Sequence, residues 1–141
     1  MSGLEPALLA EKAAALERHL LRVEARRPAS ADELIAGTDV CDAVILHLWQ
    51  AVQIAIDLAM STHVRGGLGS PPTYGDAFRG LVRAGIIPAA LGDALVRAAA
   101  FRNAIVHAYE NLDMQRVFVA SRDGPADLRA LVAALRDHES R

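Results

Sequence analysis

Phe101-Arg-Asn-Ala-Ile-Val-His-Ala-Tyr109, running on through Glu110-Asn-Leu-Asp113, is the stretch whose reading decides the fold. It continues an alanine-rich amphipathic run. At about 100° per residue on a helical wheel, Arg102 and Tyr109 point almost the same way. Leu91, Leu95, Ala98, Ile105 and Val106 share that direction, so the arginine stands in the middle of an apolar stripe. Stripping a charge of water costs on the order of several kcal/mol unless the charge is paired. Either Arg102 meets a buried carboxylate, with Asp57 the candidate across the core, or that face lines a wet cleft. Asn103 and His107, four residues apart, lie together, roughly a third of a turn or more from Arg102. One straight helix cannot focus the whole set on one point. A second helix, a helix end near Tyr109 or a second protomer is required.

Outward from this stretch the chain reads as helices joined by short connections. Leu9, Ala13, Leu16, Leu20 and Val23 give a first helix one apolar stripe, which Arg26-Arg27-Pro28 closes. Ser30 to Ile35 predicts a short helical turn with Glu33 in the capping-box position, ended by Gly37. Thr38 or Asp39 caps a long second helix reaching about Val64. That helix is apolar nearly all round, the mark of a central helix or of one shared with a partner. Its polar residues His47, Gln50, Gln53 and Asp57 fall within about a third of the wheel.

Gly66-Gly-Leu-Gly-Ser-Pro-Pro72 is a loop, and it lacks the preceding strand and the Gly-Lys-Ser/Thr ending of a phosphate cradle. Thr73 and Asp76 cap a third helix, on which Tyr74 and Phe78 face the core and which Gly85 stops. Pro88 suits the first turn of a fourth helix running to about Tyr109. Asp113 caps the last segment, in which Gly124-Pro125 predicts a kink or break before Asp127 to His138. The expectation is an all-α, up-and-down bundle of four to five helices, with residues 1–141 forming one domain.

Composition agrees. Hydrophobic residues make up 52% of the 141-residue chain and aromatics only 4%, so the core is aliphatic and alanine-rich, which suits close helix packing. A net charge of −2 gives no global basic field for nucleic acid. Lys12 is the sole lysine, and arginine supplies the remaining positive charge. Cys41, alone, excludes an intramolecular disulfide and a multi-cysteine zinc site. No basic-then-apolar leader is expected from the opening residues, and the polar residues of the second helix interrupt its apolar run. A cytoplasmic protein with no membrane span is expected.

The order Arg102, four residues, His107, one residue, Tyr109, with Asn103 directly after the arginine, resembles the signature of the HEPN superfamily. More narrowly it resembles the HepT-like branch, ribonuclease toxins encoded beside a minimal nucleotidyltransferase antitoxin. Val52-Gln-Ile-Ala-Ile-Asp57-Leu-Ala and Pro72-Thr-Tyr74-Gly-Asp-Ala-Phe78, followed by Ala84-Gly85-Ile86-Ile87, resemble the family's second and third helices in the right order. The likeness covers roughly Val40 to His138. It implies a homodimeric bundle whose Arg102 and His107 meet in an interface cleft, RNA as substrate, no DNA, and a nucleotidyltransferase partner. It also implies that Tyr109 is the residue to which that partner attaches AMP. The family's last segment continues as one helix, from which Gly124-Pro125 departs.

The chemistry of the motif is consistent with that implication. Histidine transfers protons near neutrality, and RNA cleavage needs a proton taken from a 2′-hydroxyl and one given to the leaving 5′-oxygen. Arginine's planar fork matches phosphate oxygens, and Asn103 is placed to orient histidine or phosphate. No metal-ligand spacing accompanies the motif, so a metal-independent reaction without cofactor is expected. Two protomers bring two His107 side chains, an acid and base pair. A homodimer built on helices two and four is expected from the apolar second helix and from Ala99 and Ala100 beside Asn103. The alternatives stay open at this point. Arg102 is a structural partner of Asp57 with His107 and Tyr109 as edge and packing residues, and the chain a non-catalytic module partnering a nucleotidyltransferase; or the chain is an endoribonuclease toxin.

Overall fold

The computed structural model describes residues 4–141. Five α-helices follow one another: α1 (Pro6–Arg26), α2 (Asp39–Arg65), α3 (Tyr74–Arg83), α4 (Ala89–Ala108) and α5 (Met114–Glu139). Short 3-10 turns, Ala31–Glu33 and Tyr109–Asn111, lie before α2 and after α4. The fold is all-α.

The boundaries follow from local chemistry. The Thr38 hydroxyl accepts from the Cys41 amide (3.2 Å), Thr73 from the Asp76 amide (3.1 Å), and the Asp113 carboxylate from the Gln115 amide (2.9 Å), so α2, α3 and α5 each start on a side-chain cap. Pro88 stands at the N-cap of α4, one place before the first turn. The capping box expected at Ser30 does not form: Glu33 reaches back to the Ala29 amide (3.2 Å), and the Ser30 side chain makes no cap bond. Gly85, at φ +75°, takes the left-handed turn that lets the chain leave α3 for α4.

α2 is the axis of the bundle and packs against all four other helices. By length and composition it is apolar enough to cross a membrane, yet half of that stretch is buried inside the protein. Leu9, Leu16 and Leu20 from α1, Phe78 and Leu81 from α3, Leu95 from α4 and Leu131 and Leu135 from α5 gather with its Ile56 in the larger core. A second core, around Val44, Leu48, Phe101, Ile105, Val117 and Phe118, seals the end where α4 meets α5. Burial of this kind contributes about 25 cal/mol per Å² of apolar surface. Gly80 lets α3 lie flat on α2, because a Cβ there would collide with the His63 ring.

Two further expectations differ from the structure. α5 is one helix through Gly124-Pro125, with no break. Proline inside a helix costs about 3 kcal/mol, but Pro125 is itself buried, and the apolar residues on both sides of it, Val117 and Phe118 before and Leu128, Leu131 and Leu135 after, are all buried too. Apolar burial on both sides outweighs one missing hydrogen bond. Of the small pair proposed for helix-to-helix contact, Ala99 is buried within the bundle and only Ala100 is exposed.

Candidate functional site

Arg102 lies half-buried on α4, over α2 and α3. Its Nε donates to Gln53 Oε1 (2.8 Å), and Gln53 Nε2 in turn donates to Asp57 Oδ1 (3.0 Å). The guanidinium also stands over the Tyr74 ring, 5.2 Å from its centroid, a cation–π arrangement. A third contact runs from Nη1 to Asn103 Oδ1 (3.2 Å). A direct pairing of Arg102 with Asp57, one of the two alternatives, is therefore not what forms. Gln53, one turn before Asp57 on α2, occupies the place and relays between them. Its amide has an acceptor to offer the arginine and a donor to offer the carboxylate, which suits it to that link.

His107 is exposed on α4. It stands five residues on from Arg102, about 140° around the helix. Asn103, also exposed, lies between them in angle and joins the arginine's side of the helix through its carbonyl. Within one copy of the chain the arginine and histidine thus diverge, as the wheel indicates.

Tyr109 departs from its wheel position. Regular α4 geometry stops at Ala108 (φ −144°, ψ 36°), and the 3-10 turn that follows re-aims the tyrosine toward the start of α2. There its hydroxyl donates to Asp42 Oδ1 at 2.6 Å. Gln53 is eleven positions farther along α2 than Asp42, about 16 Å at the helical rise. The Tyr109 hydroxyl is thus engaged at the start of α2, whereas Arg102 is held at Gln53 farther along it. The Asp42 hydrogen bond, then burial, then the charge of Asp42 push the Tyr109 phenol up to about 12.

Three further features complete the polar map. His47 pairs with His19 of α1, Nδ1 to Nδ1 at 3.0 Å, one ring donating and the other accepting. Cys41 is buried, its thiol held up by burial and packed 3.5 Å from the Met114 sulfur. An apolar cleft of about 440 Å³ opens between α4 and α5 over Leu48, Phe101, Val119 and Leu128, with Arg97 and Arg116 at its edge. Arg102 and His107 do not line it.

Gln53, Tyr74 and Asp42 are the site residues that sequence reasoning passed over. Gln53 and Asp57 at i and i+4 form a visible pair, and Tyr74 is the only tyrosine besides Tyr109. Asp42, 67 residues from Tyr109, leaves no local signal.

The motif, on this bundle, is matched by one family profile, that described as ribonuclease HepT-like, over residues 14–135. The chain belongs to the HepT-like family. Solved structures agree in fold. The tri-AMPylated HEPN toxin of Shewanella oneidensis, in complex with MNT antitoxin, superposes with a TM-score of 0.84 at 22% identity, covering 95% of this chain and 99% of that one. A toxin–antitoxin crystal structure with AMP-PNP gives 0.84 at 22% identity, covering 93% and 98%. YutE of Bacillus subtilis, a cytosolic protein of unknown function, gives 0.79 at 15% identity, covering 98% and 92%. No curated protein matches the chain.

Proposed function

We propose that the chain is a metal-independent endoribonuclease toxin whose site combines Arg102, Asn103 and His107 from two copies of the chain. The observation that carries this reading is how Arg102 is held. Two neutral amides, Gln53 and Asn103, and the face of Tyr74 fix the guanidinium, while the nearest carboxylate of the network, Asp57, stands one amide removed. A structural arginine is ordinarily neutralised by a carboxylate. One positioned by neutral groups keeps its charge for an incoming anion.

In this reading one phosphate oxygen of RNA docks on Arg102. One His107 takes the proton of the 2′-hydroxyl as it attacks phosphorus, and a second protonates the departing 5′-oxygen. The extra negative charge of the phosphorane then falls on the guanidinium, where partial burial strengthens the attraction. The divergence of Arg102 and His107 on one helix calls for the second copy. The product is a 2′,3′-cyclic or 3′-phosphate end.

Silencing belongs to the same reading. A nucleotidyltransferase antitoxin attaches AMP to Tyr109, adding a phosphodiester charge and a bulky base at the end of α4 beyond His107. The modified end repels the RNA backbone and crowds its approach past His107. That the Shewanella oneidensis toxin of the same fold is AMPylated and bound to MNT antitoxin supports this part.

The test is cleavage of RNA by purified protein in excess EDTA, with Arg102→Ala and His107→Ala compared in sedimentation and circular dichroism. Activity that survives EDTA and vanishes in both variants while they remain folded is expected. Loss with EDTA, or cleavage by His107→Ala, rejects the mechanism. RNA left intact by the parent chain favours the non-catalytic partner module instead.

A further inference from the structure

Asp42 sits in the first turn of α2, and its carboxylate is exposed. The tyrosine it receives is 46% exposed, so the pair is open to a second protein from outside. At 2.6 Å the contact has the length of a charge-assisted O–H···O⁻ bond, in which the carboxylate already draws on the phenolic proton. Neither residue contributes to either apolar core, which leaves the bond without an evident part in packing. Tyr74, the other tyrosine, is half-buried beneath the Arg102 guanidinium and has no such carboxylate bond among the hydrogen bonds of the described residues.

We propose that Asp42 is the base on the receiving side of the Tyr109 modification: it fixes the hydroxyl in place and accepts its proton as the nucleotidyl group arrives. The inference rests on the silencing step proposed above. The co-reactant is a nucleoside triphosphate held by the partner enzyme. The phenolic oxygen attacks the α-phosphorus, and the new O–P bond forms as the bond to the bridging oxygen of the β-phosphate breaks. Pyrophosphate leaves with that electron pair, and the phenolic proton passes to Asp42 Oδ1. No oxidation or reduction is involved.

The electrostatics explain why a base is needed. With the phenol pushed up to about 12, chiefly by the hydrogen bond to Asp42, the hydroxyl is protonated at neutral pH. The nucleophile must then lose its proton during attack rather than before it, which is the situation in which a positioned general base is effective. Asp42 and the neighbouring Cys41 are the two titratable groups that act on the tyrosine. The buried Cys41 thiol is held up and stays neutral in the same range.

The experiment compares the parent with Asp42→Asn and Asp42→Ala, using ATP and the purified partner nucleotidyltransferase. Single-turnover rates of adenylyl addition are read by intact mass and peptide mapping across pH 6 to 10. RNA cleavage by the unmodified proteins is measured alongside. Asp42→Asn keeps an acceptor for the hydroxyl but removes the base. We expect it to be modified on the order of a hundredfold more slowly, with the deficit shrinking as rising pH supplies tyrosinate directly. Asp42→Ala should lose as much, and RNA cleavage should stay within about twofold of the parent, since Asp42 takes no part in it. Ultraviolet titration should also find the Tyr109 phenol ionising nearer 10 in both variants.

Modification of Asp42→Asn within about threefold of the parent overturns the inference and leaves the silencing reading intact. So does an unchanged phenol titration, or a loss of RNA cleavage equal to the loss of modification. A parent chain that is not modified at Tyr109 at all overturns both.

Discussion

Arg102 and Tyr109 stand seven residues apart in one motif, yet they are held in opposite ways. Arg102 is half-buried and gripped from three directions, by an amide relay from α2, a ring face from α3 and its own neighbour Asn103. Tyr109 is nearly half exposed and held by one short bond to one carboxylate. A cation kept from a carboxylate stays ready for a phosphate, whereas a hydroxyl tied to a carboxylate keeps its proton at rest but has an acceptor already in place for it. In the function proposed above, the difference would divide the two ends of the motif between two reactions, one that the chain performs and one that it undergoes.

The strongest way to break this comparison is Arg102→Ala. RNA cleavage should fall about 10²–10³-fold, the range for loss of a single preorganised electrostatic group, while the thermal midpoint moves by only a few degrees. A large fall in the midpoint with cleavage retained would make Arg102 a structural residue and end the contrast.

Gln53→Glu sharpens it. The substitution turns the neutral acceptor into a carboxylate, so the guanidinium acquires the counter-charge it now lacks. Cleavage should drop about tenfold, equivalent to roughly 1.4 kcal/mol, while stability in urea changes little, because the lost donation to Asp57 and the repulsion between the two carboxylates offset the new ion pair. Unchanged kcat/KM would show that the neutrality of the holder is immaterial.

A polar contact concerned only with stability calibrates both. His19 is held below its ordinary 6.5 chiefly by burial, then by Arg22 and Arg18, and His47 by burial, then by His19, Arg22 and Arg26. Depressed folded values mean that the unfolded chain binds more protons, so this contribution is full above 6.5 and is lost as pH falls below it. The midpoint should be flat near pH 7.5 and decline below pH 6.5. The double variant His19→Gln, His47→Gln should flatten that slope, read by calorimetry from pH 5 to 8, without altering cleavage at neutral pH.

The smallest effect is expected at Tyr109→Phe. Its bond is at the surface, so stability should change by less than about 1 kcal/mol. Cleavage should match the parent, and silencing by the partner should be lost. Peptide mapping that finds the adenylyl group on Tyr74 instead would reverse the assignment of the two ends.

Much of this was legible in the chain. Periodicity and the caps at Thr38, Thr73 and Asp113 located the helices, because those signals are local. Gly124-Pro125 misled for the complementary reason: the proline's penalty is local, and the burial that overrides it comes from helices far away in sequence. The motif identified Arg102, Asn103 and His107 as residues, but not what surrounds them. A wheel assumes a straight helix, so it carried Tyr109 past the point where α4 ends. Gln53 reads only as part of a polar stripe and Asp42 gives no local signal, because their partners exist only once α4 has docked.

The apolar surface of α2 also sets a timing problem for the cell. While the chain is being made, α2 follows α1 and has only that helix to cover it. The helices that close its remaining sides end 74 residues later, at Glu139. At about 5–20 residues per second the ribosome needs roughly 4–15 s to supply them. For those seconds an oily rod is in open water with most of its shelter not yet synthesised. Slowing translation downstream of Arg65 should lengthen that exposure and raise aggregation of the nascent chain, although no residue of the finished protein has changed.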